Sequence, residues 1–164
     1  MSNFFDSQLF AVVGASSDRE KFGNKVLRCY QQNSYPVVPI SKRQMSIENS
    51  TCLSTLSELC DGLAPPHSST IDKISSQSQS DSTYDDRVKA VLVRIISPRD
   101  IGVSIITPQV VTTSILQEGY ALGIRNFFLQ PGTIEDSVLR PLLLEMPEAN
   151  VIRGCVLVEL GFPH

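Results

Sequence analysis

Leu9-Phe10-Ala11-Val12-Val13-Gly14, running on into Ala15-Ser16-Ser17-Asp18-Arg19-Glu20-Lys21-Phe22-Gly23-Asn24, is the stretch whose reading decides the fold. Its first part is a short, nearly continuous apolar run that ends in glycine. A run without polar alternation reads as a strand buried on both faces, as in a parallel sheet covered by helices. From Gly23 to about Gln32 the period turns helical, with Val26, Leu27 and Tyr30 on one face, and Asn33, Ser34 and Pro36 close the segment. Val37 to Ile40 is a second short strand. Strand, helix and strand together have the length that a parallel crossover needs.

Further along, Leu53 to Leu59 (LSTLSEL) spaces its leucines for a short helix. Residues Asp61 to Asp86 hold Pro65-Pro66 and the serine-dense Ser75 to Ser82, with little apolar periodicity. Composition predicts a disordered or surface-looped segment outside the core, part of a low-complexity insertion at about 61–102 in a single domain spanning 1–164. Lys89 to Ile96 (KAVLVRII) has two readings. It pairs with Val103 to Ile106 as a hairpin, or Ala90 to Ile96 is itself the third parallel strand. Val103 to Ile106 is favoured as the core strand, because Thr107-Pro108 then opens a helix. That helix runs to about Leu122, with Val111, Ile115 and Leu122 inward and Gly123 as its stop.

Asn126 to Gln130 is the next strand, ending at Pro131-Gly132, with Thr133 as the expected N-cap of a helix whose first turn carries Glu135 and Asp136. That helix is interrupted or ended near Pro141, and Val151 to Leu160 supplies a final strand. The alternation predicts an α/β, doubly wound, mostly parallel sheet with helices on both faces.

The bulk numbers bound the function. The 164 residues are 41% hydrophobic and 19% charged, the make-up of one ordinary globular domain. A net charge of -3 gives no reason to expect nucleic acid. No apolar run approaches the ~20 residues that span a bilayer. The start, MSNFFDSQLF, lacks the basic end and apolar stretch of a signal peptide. Cys29, Cys52, Cys60 and Cys155 form no CxxC pair, which points to a reducing, cytoplasmic setting and away from structural zinc.

In a doubly wound sheet, ligands lie beyond the carboxyl ends of the strands. Free amides and the dipole at the first helix's N-terminus favour a phosphate or diphosphate there. Gly14 permits a tight turn, and Ser16 and Ser17 add hydroxyls. The loop is longer than GxGxxG and does not match the dinucleotide fingerprint; a plain strand-to-helix loop without a ligand is the competing reading. At the end of the second strand an NAD protein typically places Asp or Glu. Here Ser41-Lys42-Arg43 follows Pro39-Ile40, and two cations suit the phosphorylated ribose of coenzyme A or NADP. The alternative is an ordinary solvated basic pair.

AVVGASSDREKFGNKV, VVPISKR, SIITP, FFLQPGT and GCVLVELG occur in the order seen in the stand-alone CoA-binding-domain family, relatives of the N-terminal domain of the succinyl-CoA synthetase α subunit. The resemblance covers the chain except for roughly 61–102. It implies a Rossmann-like fold with coenzyme A at the switch point. By that resemblance Gly14, Ala15, Ser16 and Ser17 wrap the diphosphate, and Lys21, Phe22, Gly23 and Asn24 border it. Ser41, Lys42 and Arg43 face the 3′-phosphate. Thr107 and Pro108 line the adenine or pantetheine side, and Gln130, Pro131 and Gly132 close the far wall. The family usually has Pro-Val-Asn-Pro after the second strand, where this chain departs from the pattern at Ile40, Ser41 and Lys42. Phe128 stands where tryptophan is common.

No nucleophile elbow, HExxH or Walker A sequence appears. His67 and His164 are poorly placed for catalysis, and Cys155, expected at a late strand, reads first as a buried structural thiol. The leading expectation is non-catalytic binding of coenzyme A or an acyl-CoA by a carrier, sensor or regulatory module. The alternatives are a small NADP-dependent oxidoreductase and a degenerate Rossmann domain that mediates protein contacts. A homodimer suits such domains, although no residue proves it.

Overall fold

A computed structural model describes residues 3–63, 69–77, 83–94 and 96–161. Strand β1 (Leu9–Val13) is buried along its whole length, as its unbroken apolar run requires. Its odd positions Leu9, Ala11 and Val13 enter one hydrophobic layer, and Phe10 and Val12 enter the other. This is the alternation of a pleated strand packed on both sides.

Helix α1 (Phe22–Gln32) leads to β2 (Val37–Ile40). A two-residue hairpin follows, β3 (Ser46–Ile47) and β4 (Ser50–Thr51), whose turn residues Glu48 and Asn49 take positive φ. Helices α2 (Leu56–Asp61), α3 (Ser69–Gln77) and α4 (Thr83–Leu92) precede β5 (Ile101–Ile105). Helix α5 (Gln109–Ala121), β6 (Asn126–Leu129), α6 (Asp136–Leu144), β7 (Asn150–Arg153) and α7 (Val156–Leu160) complete the described chain. All pairings in the main sheet are parallel, in the order β2-β1-β5-β6-β7. The architecture is the expected Rossmann-like α/β fold, wound in the second of the two common doubly wound orders. No helix among the described residues is long and apolar enough to cross a membrane.

One face of the sheet is aromatic. Phe10 stacks on Tyr30 at 4.9 Å between ring centroids, and Phe4 meets Phe128 edge-on at 5.3 Å. Phe128 is buried among these rings. The Tyr30 hydroxyl, fully buried, shares a hydrogen bond of 2.5 Å with the Ser104 hydroxyl, so neither polar group is stranded.

Several expectations need correction. The segment from 61 to 86, expected outside the core, carries Thr70, Ile74 and Asp85 buried, and α3 and α4 pack their apolar side chains into the sheet's other layer. Ala90 to Leu92 is helical, which excludes both extended readings of Lys89 to Ile96 over that part. Val88, Val91 and Leu92 face inward at helical spacing. Val151 to Leu160 is not one strand: β7 ends at Arg153, and Gly154-Cys155 turns the chain into α7. Thr133 does not cap α6; Glu135 occupies that position, and the Thr133 hydroxyl donates to the Gln130 carbonyl at 2.7 Å. Pro141 sits inside α6 without ending it. Pro65, Pro66, His67, residues 78–82 and His164 lie outside the described residues.

Asp85 fastens α4 to the hairpin. Its carboxylate accepts from the Thr51 amide at 2.8 Å and the Thr51 hydroxyl at 2.7 Å, in a buried setting. Asp85→Ala removes both bonds and leaves Thr51 donors without an acceptor there. The expected loss is about 2–4 kcal/mol of unfolding free energy in a urea titration, whereas an undocked loop at 83–92 would give a loss near zero.

Candidate phosphate-binding site

The turn after β1 is shaped by two glycines. Gly14 has φ of +97°, and a Cβ there would collide with the Ile106 carbonyl at the end of β5. A Cβ on Gly23 would collide with the Gly14 carbonyl. The first turn of α1 is therefore pressed against the loop, and the loop against the neighbouring strand, closer than any side chain allows.

This packing leaves main-chain donors unspent. Among the described residues, the amides of Ala15, Ser16, Ser17, Phe22 and Gly23 donate to no protein acceptor. The Ser16 hydroxyl accepts from the Asp18 amide at 3.1 Å, which still leaves its own O–H to give. Asn24 is fully buried and points into the fold: its Nδ2 donates to the Ser16 carbonyl at 2.9 Å and to Glu48 at 3.1 Å. In a trans peptide the carbonyl and the following N–H point in opposite directions. Drawing the Ser16 carbonyl inward therefore turns the Ser17 amide outward. Arg28 holds Asn24 from behind, Nε to Oδ1 at 2.7 Å. Asn24 thus positions the loop from inside, while Lys21 and Phe22 stand exposed at its edge and Lys25 lies 5.7 Å from the Phe22 ring centre.

The other expected residues distribute as follows. Ser41 follows β2, and its hydroxyl accepts from the amides of Arg43 and Gln44 at 3.2 and 3.3 Å. This small turn presents the exposed side chains of Lys42 and Arg43, neither of which forms an ion pair with another described residue. Thr107 is brought beside Gly14 and shares a hydrogen bond with Thr112 at 2.8 Å, while Pro108 caps α5. Gln130 is buried and engaged elsewhere: its Oε1 accepts from the Val156 amide at 2.7 Å and its Nε2 donates to the Cys155 sulfur at 3.5 Å. Pro131 and Gly132 are exposed beside it.

A cavity of about 270 Å³ opens between the ends of β1 and β2 and helices α2 and α5. Ser41 and Lys42 line it, together with Val13, Ile40, Ser54, Thr55, Leu56, Val111, Ile115 and Glu118. Val111, expected to be inward, is 39% exposed because it stands at this cavity; Thr112, Leu116 and Gly119 make the buried face of α5 instead. The reading of the sequence missed Glu118. The available signal was a carboxylate falling in phase with the apolar stripe Val111-Ile115.

The doubly wound sheet thus has unspent amides at its first crossover, cations after its second strand and a cavity of mixed lining alongside. Comparison with known proteins supplies the class. The sequence profile of the CoA binding domain family matches residues 8–161, and the chain belongs to that family. The match runs through the expected insertion. No curated protein matches the chain. Among solved structures, a conserved hypothetical protein from Pyrococcus furiosus is similar at 18% identity and a TM-score of 0.61, over 93% of this chain and 98% of that one. A protein from Thermus thermophilus is similar at 19% identity and 0.60, over 95% and 90%. A hypothetical protein from Pyrococcus horikoshii OT3 is similar at 14% and 0.61, over 95% and 83%. At these identities the structures attest the fold.

The cysteines differ in reactivity. Burial pushes the thiols of Cys29 and Cys60 up to about 11 and that of Cys52 to about 12. Only about one Cys29 thiol in a thousand is then ionised at pH 8. Cys155 is half-buried at the start of α7 rather than sealed in a strand. Iodoacetamide at pH 8 is expected to label Cys155 first in the native protein, read by peptide mass spectrometry. Labelling of Cys29 or Cys52 ahead of Cys155 would show that the core opens faster than this packing allows.

Proposed function

We propose that the protein binds coenzyme A or an acyl-CoA without transforming it, as a carrier, sensor or regulatory module. The carrying observation is the set of amides at Ala15, Ser16, Ser17, Phe22 and Gly23 that donate to no described acceptor, on a loop held by the Gly14–Gly23 contact and the buried Asn24. Fixed amides at a helix N-terminus suit a diphosphate without needing a nearby lysine. Lys42 and Arg43 would hold the 3′-phosphate, and the adjoining cavity would take the adenosine end. The residues present fit the ligand: Gly14 and Gly23 leave a side-chain-free approach, and the cations lie one strand over from it.

Burial holds the thiols of Cys29, Cys52 and Cys60 protonated at neutral pH, so none of these three is poised as a nucleophile. All four cysteines are free, which suits the reducing cytoplasm.

Isothermal titration separates this reading from its rival. Coenzyme A is expected to bind more tightly than dephospho-CoA, and both more tightly than NADP. Lys42→Ala combined with Arg43→Ala should weaken coenzyme A about five- to fiftyfold and bring it level with dephospho-CoA. Absence of coenzyme A binding at millimolar concentration would overturn the proposal. Tighter binding of NADP would transfer the site to a nicotinamide cofactor.

A further inference from the structure

The hairpin after β2 carries a residue that its turn does not ask for. Glu48 and Asn49 form the two-residue turn, with φ of +48° and +64°. Turns with both residues left-handed favour Asn, Asp or Gly, because other side chains are strained there. What Glu48 gains lies outside the hairpin. Its Oε2 accepts from the Asn24 Nδ2 at 3.1 Å and pairs with the Arg19 Nε at 3.4 Å, and its carbonyl accepts from the Gln31 Nε2 at 2.9 Å. Arg19 stands on the loop between β1 and α1, and Asn24 holds that loop by the Ser16 carbonyl at 2.9 Å. One carboxylate therefore braces the loop and takes up the charge of its arginine.

The two roles separate by chemistry. Bracing needs an acceptor oxygen, charged or not. Balancing needs the negative charge itself. The Arg19 side chain is 63% exposed and that of Glu48 22%, so the pair lies near the surface, where its field is weakened by water and screened by salt. While both charges stand, they largely cancel for a neighbouring anion. With either one removed, a full charge is left beside the loop. Asp18, Glu20 and Lys21 on the loop and Arg28 behind it are the other charged groups there.

We infer that Glu48 is a positioning residue of the loop after β1 that also sets the loop's charge, holding Asn24 in place while cancelling Arg19. This rests on the coenzyme A reading and adds to it the residue that tunes the affinity.

The test is calorimetric titration of the full chain with coenzyme A at about 0.01 M and about 1 M salt, where charges reach roughly 30 Å and 3 Å. At low salt Glu48→Gln is expected to bind about three- to tenfold more tightly than wild type, and Arg19→Gln to bind more weakly by a like factor. The two substitutions together should return the affinity to within about twofold of wild type, and at high salt all these differences should shrink to that range. Glu48→Ala lacks the acceptor, so it should bind at least about threefold more weakly than Glu48→Gln at both salts. A Glu48→Gln protein no tighter than wild type at low salt, or a gain that high salt leaves intact, would overturn the inference. So would equal binding by the Gln and Ala variants. An Ala variant that fails to fold, read by circular dichroism, would overturn it by showing that Glu48 serves the fold rather than the loop. If coenzyme A binds and none of these variants moves its affinity, only the Glu48 assignment fails. If coenzyme A does not bind wild type at millimolar concentration, the coenzyme A reading fails and takes this one with it.

Discussion

Three backbone segments meet at a single crowded point: the Gly14 carbonyl under Gly23, and Gly14 itself under the Ile106 carbonyl. No side chain fits between them. Everything that can hold an anion here follows from this contact, because it fixes where the first turn of α1 stands relative to the end of β1. The geometry is supported from below by a run of buried polar contacts. Asn24 holds the Ser16 carbonyl and Glu48, and Gln31 donates to the Glu48 carbonyl and the Ser50 hydroxyl at 2.9 and 2.8 Å. Asp85 then takes Thr51 on the same hairpin, and Arg87 reaches the Gln31 carbonyl at 3.1 Å. Helix α4 is therefore tied, through β3 and β4, to the loop.

The sheet order explains why two unlike surfaces lie side by side. β1 stands between β2 and β5, and the connections leaving β1 and β5 depart to opposite faces of the sheet. That divergence opens the crevice in which doubly wound proteins hold their ligands. One side of it offers main-chain donors. The other offers aliphatic surface from α2 and α5, with Glu118 set into it.

Much of this was legible in the sequence because the decisive residues are local. An unbroken apolar strand, a glycine, and a helix whose inward face is Val26, Leu27 and Tyr30 are all visible in one short window. The errors have physical causes. A short apolar run such as Ala90 to Leu92 has the same composition in a buried helix as in a buried strand, and only its phase with Val88 separates the two. The region 61–86 read as unstructured because α3 buries few apolar groups, while Thr70 and Asp85 are buried polar residues that a hydrophobic pattern cannot register. Val151 to Leu160 stays apolar across Gly154-Cys155, so its change from strand to helix left little trace. The cavity depends on residues from β1, β2, α2 and α5 together, and no window of sequence holds them all.

Charge sharpens the importance of the crowded point. The chain carries a net charge of -3, so at long range it repels a ligand that is itself several times negative. At physiological salt that repulsion fades beyond about 8 Å, and what remains is decided by groups near the loop. Those groups are nearly balanced. Lys21 stands on the same loop as Asp18 and Glu20, and Arg19 is drawn to Glu48 at 3.4 Å. Lys42 and Arg43 lie over the neighbouring strand rather than over the turn. Side-chain charge would therefore supply little attraction for an anion at this loop, and the dipoles of its unspent amides would have to supply most of it. Dipoles act only at short range and only when aimed, so an anion held at this loop would depend on two glycines and one buried asparagine more than on any cation.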